Sequence, residues 1–160
     1  MSKEDVIRSV ALRIQEMQDA MAQIDESAAR LLGVNRTDLR CLARLRLRGP
    51  MTAGELAAEA GLTPGATTTA IDRLERAGYA RRVRDDADRR RVMVALTEAA
   101  AAAGQRIWGP LSSESFAQLK GYTLVELALI NRFLDQAVAQ QRRQAARLSA
   151  VPVAETHHRP

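Results

Sequence analysis

The run GLTPGATTTAIDRLERAGYARRVRDDADRRRVMVAL, residues 61–96, decides the fold because its periodicity changes half-way along. From Pro64 to Ala77 the residues Thr67, Ala70, Ile71, Leu74 and Ala77 recur at helical spacing and make one inward stripe. Thr63 precedes them as an N-cap, its hydroxyl able to accept from an orphan N–H. Pro64 takes the first helical position, where a missing N–H costs nothing. After Gly78 the period shortens to two. Tyr79–Arg84 and Arg91–Leu96 predict two strands, with Val83, Val92, Val94 and Leu96 as core contacts and a charged hairpin tip between them.

Just upstream, Thr52-Ala-Gly-Glu55 is a capping box: the Thr hydroxyl accepts from the Glu55 N–H while the Glu55 carboxylate reaches back. The helix it opens has Leu56, Ala57 and Ala60 on its inner face and stops at Gly61. Two helices joined by a glycine-containing turn of about three residues form a helix-turn-helix, and the hairpin after it makes a winged helix. A shorter helix, Thr37 to Leu47, precedes them, carrying Leu39, Leu42, Ala43, Leu45 or Arg46, and Leu47, and ending at Arg48-Gly49-Pro50. Cys41 sits inside it as a small packing residue.

Long helices flank this centre. Residues 3–32 carry Val6, Val10, Ile14, Met17, Met21, Ile24, Ala28 and Leu31 at spacings of three or four, with Ser2 and Asp5 as the cap and Gly33 as the stop. At 1.5 Å per residue such a helix is ~45 Å long, more than a small domain covers, so part of its stripe is expected to be an intersubunit surface. Thr97 caps a helix running through Ile107, Trp108, Leu111, Phe116 and Leu119 towards Gly121. Gly109-Pro110 predicts a kink or break in it near Trp108. Trp108 either packs between helices or lines an effector pocket. A second box, Thr123 with Glu126, opens a final helix striped by Leu127, Ile130, Leu134, Ala137 or Val138, Ala145 and Leu148, expected to pair with the first helix across a twofold axis. The fold class is therefore mostly α with a small β-hairpin wing: a winged helix-turn-helix over residues 34–98, dimerisation helices over 1–33 and 99–148, and a disordered tail over 149–160.

The net charge of +5 and the pI near 10.3 suit an anionic partner, and the charge is segregated. Val34 to Glu98 holds 13 Arg against 9 acids, which is +4 of the total. Six of those arginines (Arg81, Arg82, Arg84, Arg89, Arg90, Arg91) crowd into the hairpin. Other functions lack their residues. A single cysteine makes no intramolecular disulfide, no charged leader precedes an apolar run, and no stretch approaches the ~20 apolar residues of a membrane span, so a cytoplasmic protein without a membrane partner is expected. His157 and His158 are adjacent rather than at ligand spacing, no Cys/His or Ser/His/Asp grouping exists, and no Gly-rich phosphate loop follows a strand. Neither metal, cofactor nor enzymatic activity is expected.

The run GELAAEAGLTPGATTTAIDRLERAGYARRVRDDADRRRVMVALTEAA resembles the multiple antibiotic resistance regulator (MarR) family of bacterial winged-helix transcription regulators. The likeness covers about Thr37 to Ala100 and is most specific in GLTPGATTTAIDRLERAGY and DDADRRRVMVALT. The resemblance implies a homodimer on a pseudo-palindromic operator, with the helix from Pro64 in the major groove and an Asp-x-Arg pair at the wing tip reaching the minor groove. That pair falls on Asp88 and Arg90, the aspartate holding the arginine in pose, with Arg89 on phosphate. Where the family has a proline after the first wing aspartate, this chain has Asp86.

The residues support the same roles independently. Thr63, Pro64, Gly65, Thr68 and Thr69 leave the start of the second helix small and polar, a shape that a major groove ~12 Å wide admits. Arg84, Arg89 and Arg73 are phosphate candidates, and Arg90 suits the concentrated potential of a narrow minor groove. The expected function is a dimeric, sequence-specific regulator of double-stranded DNA, a repressor relieved by a small-molecule effector held near Trp108. Two alternatives compete with it: thiol-based redox sensing through Cys41, and a winged-helix protein-interaction module without an operator.

Overall fold

The computed structural model describes residues 2–85 and 88–150; Asp86, His157, His158 and the tail from 151 onward lie outside the described residues. The elements run α1 (Lys3–Leu32), α2 (Arg36–Arg48), β1 (Met51–Thr52), α3 (Ala53–Ala60), α4 (Pro64–Arg76), β2 (Ala80–Arg84), β3 (Val92–Leu96), α5 (Glu98–Leu119) and α6 (Leu124–Ser149). The architecture is the expected one, mostly helical with a β-hairpin wing. The chain divides into two compact units, Met1–Pro110 and Leu111–Pro160.

In the first unit, β3 is the centre of a three-stranded antiparallel sheet ordered β1-β3-β2. Arg82 faces Val94 and Arg84 faces Val92 across the ribbon, while Met51 faces Val94 on the other side. The sequence does not predict β1, because two residues carry no alternation. Thr52 serves both as the end of that strand and as the N-cap of α3, where its Oγ1 accepts from Glu55 N at 3.2 Å and Glu55 Oε2 accepts from Thr52 N at 2.7 Å. The core joins Leu42 and Leu45 of α2, Leu56 and Ala60 of α3, Ala70, Ile71 and Leu74 of α4, Met51, Ala80 and Val94 of the sheet, and Cys41. A second cluster, Ala28, Ala29 and Leu39, packs beneath Ile107 and Trp108.

Several stripe positions fall differently from the periodicity. Ala77 is the exposed C-cap of α4 rather than part of its inward stripe, because the helix ends at Arg76 and Gly78 turns the chain at φ 75. Val92 is half exposed, being the first residue of β3 and beyond the reach of the helices. Leu47 and Ala43 lie on the outer side of α2, and at the end of α1 Leu32 turns inward while Leu31 stays exposed. The inner face of α2 instead includes Asp38, a residue that hydrophobic pattern alone passes over. The caps of α1 are as expected, with Ser2 Oγ accepting from Asp5 N at 3.1 Å and Gly33 at φ 63.

The helix α5 crosses the boundary between the units without a break. Pro110 lies inside it, so of the expected kink or break near Trp108 the break does not occur. A proline removes one i→i−4 bond, and here it sits on exposed helix. In the second unit, Thr123 caps α6 through a reciprocal box with Glu126. Among the described residues of α6 only Leu127, Ile130 and Ala137 are half-buried, and Leu134, Val138 and Leu148 are exposed. Among the described residues no helix is long and apolar enough to cross a membrane.

Candidate nucleic-acid interface

The start of α4 is built by Gly61, whose positive φ of 62 ends α3, and by Thr63, whose Oγ1 accepts from Ala66 N at 3.3 Å. Thr67, Ala70, Ile71 and Leu74 seat the helix on the core. Thr63, Pro64, Gly65, Thr68 and Thr69 are then all left exposed on its first turns. Each threonine hydroxyl of the helix bonds back to the carbonyl four residues earlier: Thr67 to Thr63 at 3.0 Å, Thr68 to Pro64 at 3.0 Å and Thr69 to Gly65 at 2.9 Å.

Arg73, expected to face out toward phosphate, has its guanidinium turned onto α2. Its Nη2 donates to Asp38 Oδ1 at 2.6 Å and its Nε to Oδ2 at 3.0 Å. Asp38 is only 2% exposed, and a buried carboxylate needs a paired cation with matching hydrogen bonds. Most of the Arg73 donor fork therefore fastens α4 to α2. The hydrogen bond to Asp38 also raises the Arg73 pKa above its usual value.

Five of the six wing arginines divide into two sets. Arg82 on β2 donates from Nη2 to Asp72 Oδ1 at 2.7 Å and from Nη1 to Glu75, while Glu75 Oε1 accepts from the Arg82 backbone at 2.8 Å. Arg91 reaches Glu55 at 3.2 Å and Asp85 at 3.9 Å. These two brace the wing against α4 and α3. Sequence reading treats all six alike, although Asp72 and Glu75 stand on one helix face only ten and seven residues before Arg82. Arg84, Arg89 and Arg90 are exposed and pair with no carboxylate among the described residues. Asp88 does hold Arg90, but through the backbone: its Oδ1 accepts from Arg90 N at 3.0 Å, and its carbonyl accepts from Arg91 N at 2.8 Å. This turn sets the Arg90 backbone and leaves its guanidinium without a carboxylate partner among the described residues.

The first unit also holds an open cavity of about 450 Å³, lined by Met21 and Asp25 of α1, much of α2, and Ala100, Gly104 and Trp108 of α5. Trp108 both packs on the second cluster and lines this cavity. The Arg46 guanidinium lies 5.3 Å from its ring centroid, and Arg36, Arg40 and Arg44 share the lining. The buried Arg44 Nε has no hydrogen-bond partner. Cys41 is fully buried, and burial, followed by the charge of Asp38, pushes its thiol pKa up. Reactive thiolates need the opposite shift. Among the described residues no three His, Cys, Asp or Glu side chains group as a metal site.

A helix-turn-helix carrying a basic ribbon has relatives. The MarR family profile matches residues 34–92. An uncharacterized HTH-type transcriptional regulator, YcgE of Bacillus subtilis (strain 168), is 39% identical over 123 residues, covering 77% of this chain and 80% of its own. The chain belongs to the MarR family. MarR proteins are DNA-binding transcription regulators rather than enzymes, and this chain is one. Its fold is shared with a MarR family protein of Bacillus stearothermophilus, at a TM-score of 0.64 and 20% identity over 89% of this chain and 99% of that one. RV1404 of Mycobacterium tuberculosis gives 0.62 and 21% over 87% and 94%, and YusO of Bacillus subtilis gives 0.58 and 22% over 88% and 99%.

Proposed function

We propose that this MarR protein is a homodimeric repressor that binds a pseudo-palindromic operator and releases it when a small molecule enters the cavity beside Trp108. Thr63, Pro64, Gly65, Thr68 and Thr69 meet the major groove, Arg90, posed by Asp88, enters the minor groove, and Arg84 and Arg89 hold phosphates. Arg73 acts mainly by seating α4, with at most its remaining Nη1 toward the backbone of the duplex.

The observation that carries the regulatory reading is the double use of α2. One side of this helix lines the cavity through Leu39, Arg40, Ala43 and Leu47, while Asp38 on the same helix holds Arg73 of α4. A ligand that displaces α2 therefore displaces the helix placed in the groove. In a twofold dimer the two copies of that helix must meet grooves about 34–36 Å apart, so a small rotation lowers affinity. The arginines of the lining, with the unpartnered Arg44 Nε, favour an anionic aromatic compound stacking near Trp108. For a homodimer, the support is the run of exposed apolar residues on α1 and α6.

Trp108 is the only tryptophan, so its fluorescence reports on the cavity. Anionic aromatic compounds are titrated against that fluorescence and, in parallel, against a labelled operator duplex selected by the protein. Quenching and duplex release at the same concentrations support the proposal, whereas quenching with the duplex still bound removes the regulatory part of it.

A further inference from the structure

A threonine hydroxyl carries one hydrogen, and once donated it leaves Oγ1 with acceptor lone pairs only. Thr68 and Thr69 have donated theirs to Pro64 O and Gly65 O. The bond also holds each β-branched side chain in one rotamer, fixing where its methyl points. With Pro64, Gly65 and Ala66 beside them, the exposed residues of the first two turns of α4 offer no free side-chain donor. The arginines of α4 add no free fork there. Arg73 is bound to Asp38, and Arg76, two turns further on, returns its Nε to Asp72 O at 3.2 Å.

We propose that Thr68 and Thr69 are specificity-determining residues that read A·T pairs through the thymine methyl group, accepting from adenine N6 where they bond at all and donating to no base. The inference rests on the placing of α4 in the major groove. In that groove guanine presents two acceptors, N7 and O6, and calls for a donor such as arginine, whereas thymine alone presents a methyl and adenine adds an amino donor. Methyls and acceptors meet the thymine methyl and the adenine amino group of an A·T pair but only the cytosine amino group of a G·C pair, so the contact with the thymine methyl carries the discrimination. Thr68 and Thr69, poor helix formers, then have a use on an exposed face.

The test begins with duplexes selected by the full-length protein from a random pool, followed by titrations of Thr68→Val, Thr68→Ser, Thr69→Val and Thr69→Ser, each checked for folding by circular dichroism. Valine keeps the methyl and loses the hydroxyl; serine does the reverse. Valine variants are expected to bind within about twofold of the parent, and serine variants about fourfold more weakly, the value of one buried methyl. Deoxyuridine in place of the contacted thymine should cost the same factor in the parent and nothing more in the serine variant. Any loss with valine beyond that range, or full affinity with serine, overturns the proposal while leaving α4 in the groove. If a Thr68→Ala, Thr69→Ala double variant selects the same sequences with the same affinity as the parent, the placing of α4 fails as well.

Discussion

Leu56, Ile71, Leu74 and Val94 are sealed inside the first unit, whereas Val6, Val10, Met17 and Met21 of α1 and Leu134 and Val138 of α6 are 41–59% exposed. Both sets recur at regular spacing, so periodicity alone does not separate a core from an uncovered face. The difference lies in what surrounds them. The helices α2, α3 and α4 and the sheet close on one another within about sixty residues, while α1 and α6 extend past what the chain offers to cover them. The helix-turn-helix buries its stripes within itself, whereas α1 and α6 leave theirs exposed, the faces that the proposed second copy would cover.

The strongest way to break this contrast is to charge the open faces. Met17→Asp combined with Leu134→Asp should leave the first unit folded, convert the protein to a monomer by light scattering, and weaken operator binding by roughly 10²–10⁴-fold as the two-site linkage is lost. A variant that stays dimeric and binds normally would remove the homodimer reading. On the closed side, Leu74→Ala opens a cavity in a fully buried site and should cost about 2–5 kcal/mol in a denaturant titration, with the α1 and α6 faces unaffected.

The two sets of wing arginines allow a finer comparison. Arg90→Ala should weaken duplex binding by about tenfold and lower the salt slope by ~1, since a charge that meets DNA is lost. Arg82→Ala should instead change affinity with the slope intact, because Arg82 is paired with Asp72 and Glu75. Equal slopes for the two variants would erase the division between braces and contacts. The smallest effect concerns the capping box at α3. The backbone N–H of Thr52, then its hydroxyl, and also Arg91, hold the Glu55 carboxyl below its ordinary value of 4.5. Because the folded pKa is depressed, this contribution is present above pH 4.5 and is lost as pH falls through the lower folded value. Melting curves of the parent and Glu55→Ala should therefore differ at neutral pH and converge under acid.

Much of the site is legible before any coordinates. Thr63-Pro64 announces a helix start through the chemistry of capping, and the shift of period after Gly78 announces the wing, since both signals are local. Asp38 is not legible, because its partner Arg73 lies 35 residues away and an aspartate on a helix reads as solvated unless that partner is known. The split of the arginines is hidden for the same reason: Arg82 and Arg84 have the same residue type and the same strand face, and only the position of α4 makes one a brace.

The sequence by itself determined the order of the helices and of the hairpin, the caps Ser2, Thr52, Thr63 and Thr123, and the basic character of the hairpin, because each depends on side chains within a few residues of one another. Only the tertiary structure decided that Arg73 faces Asp38, that Arg82 is a brace, and that α2 is shared between a cavity and α4. Those outcomes depend on which buried charge needs a partner and which face finds cover, and packing between distant segments sets both.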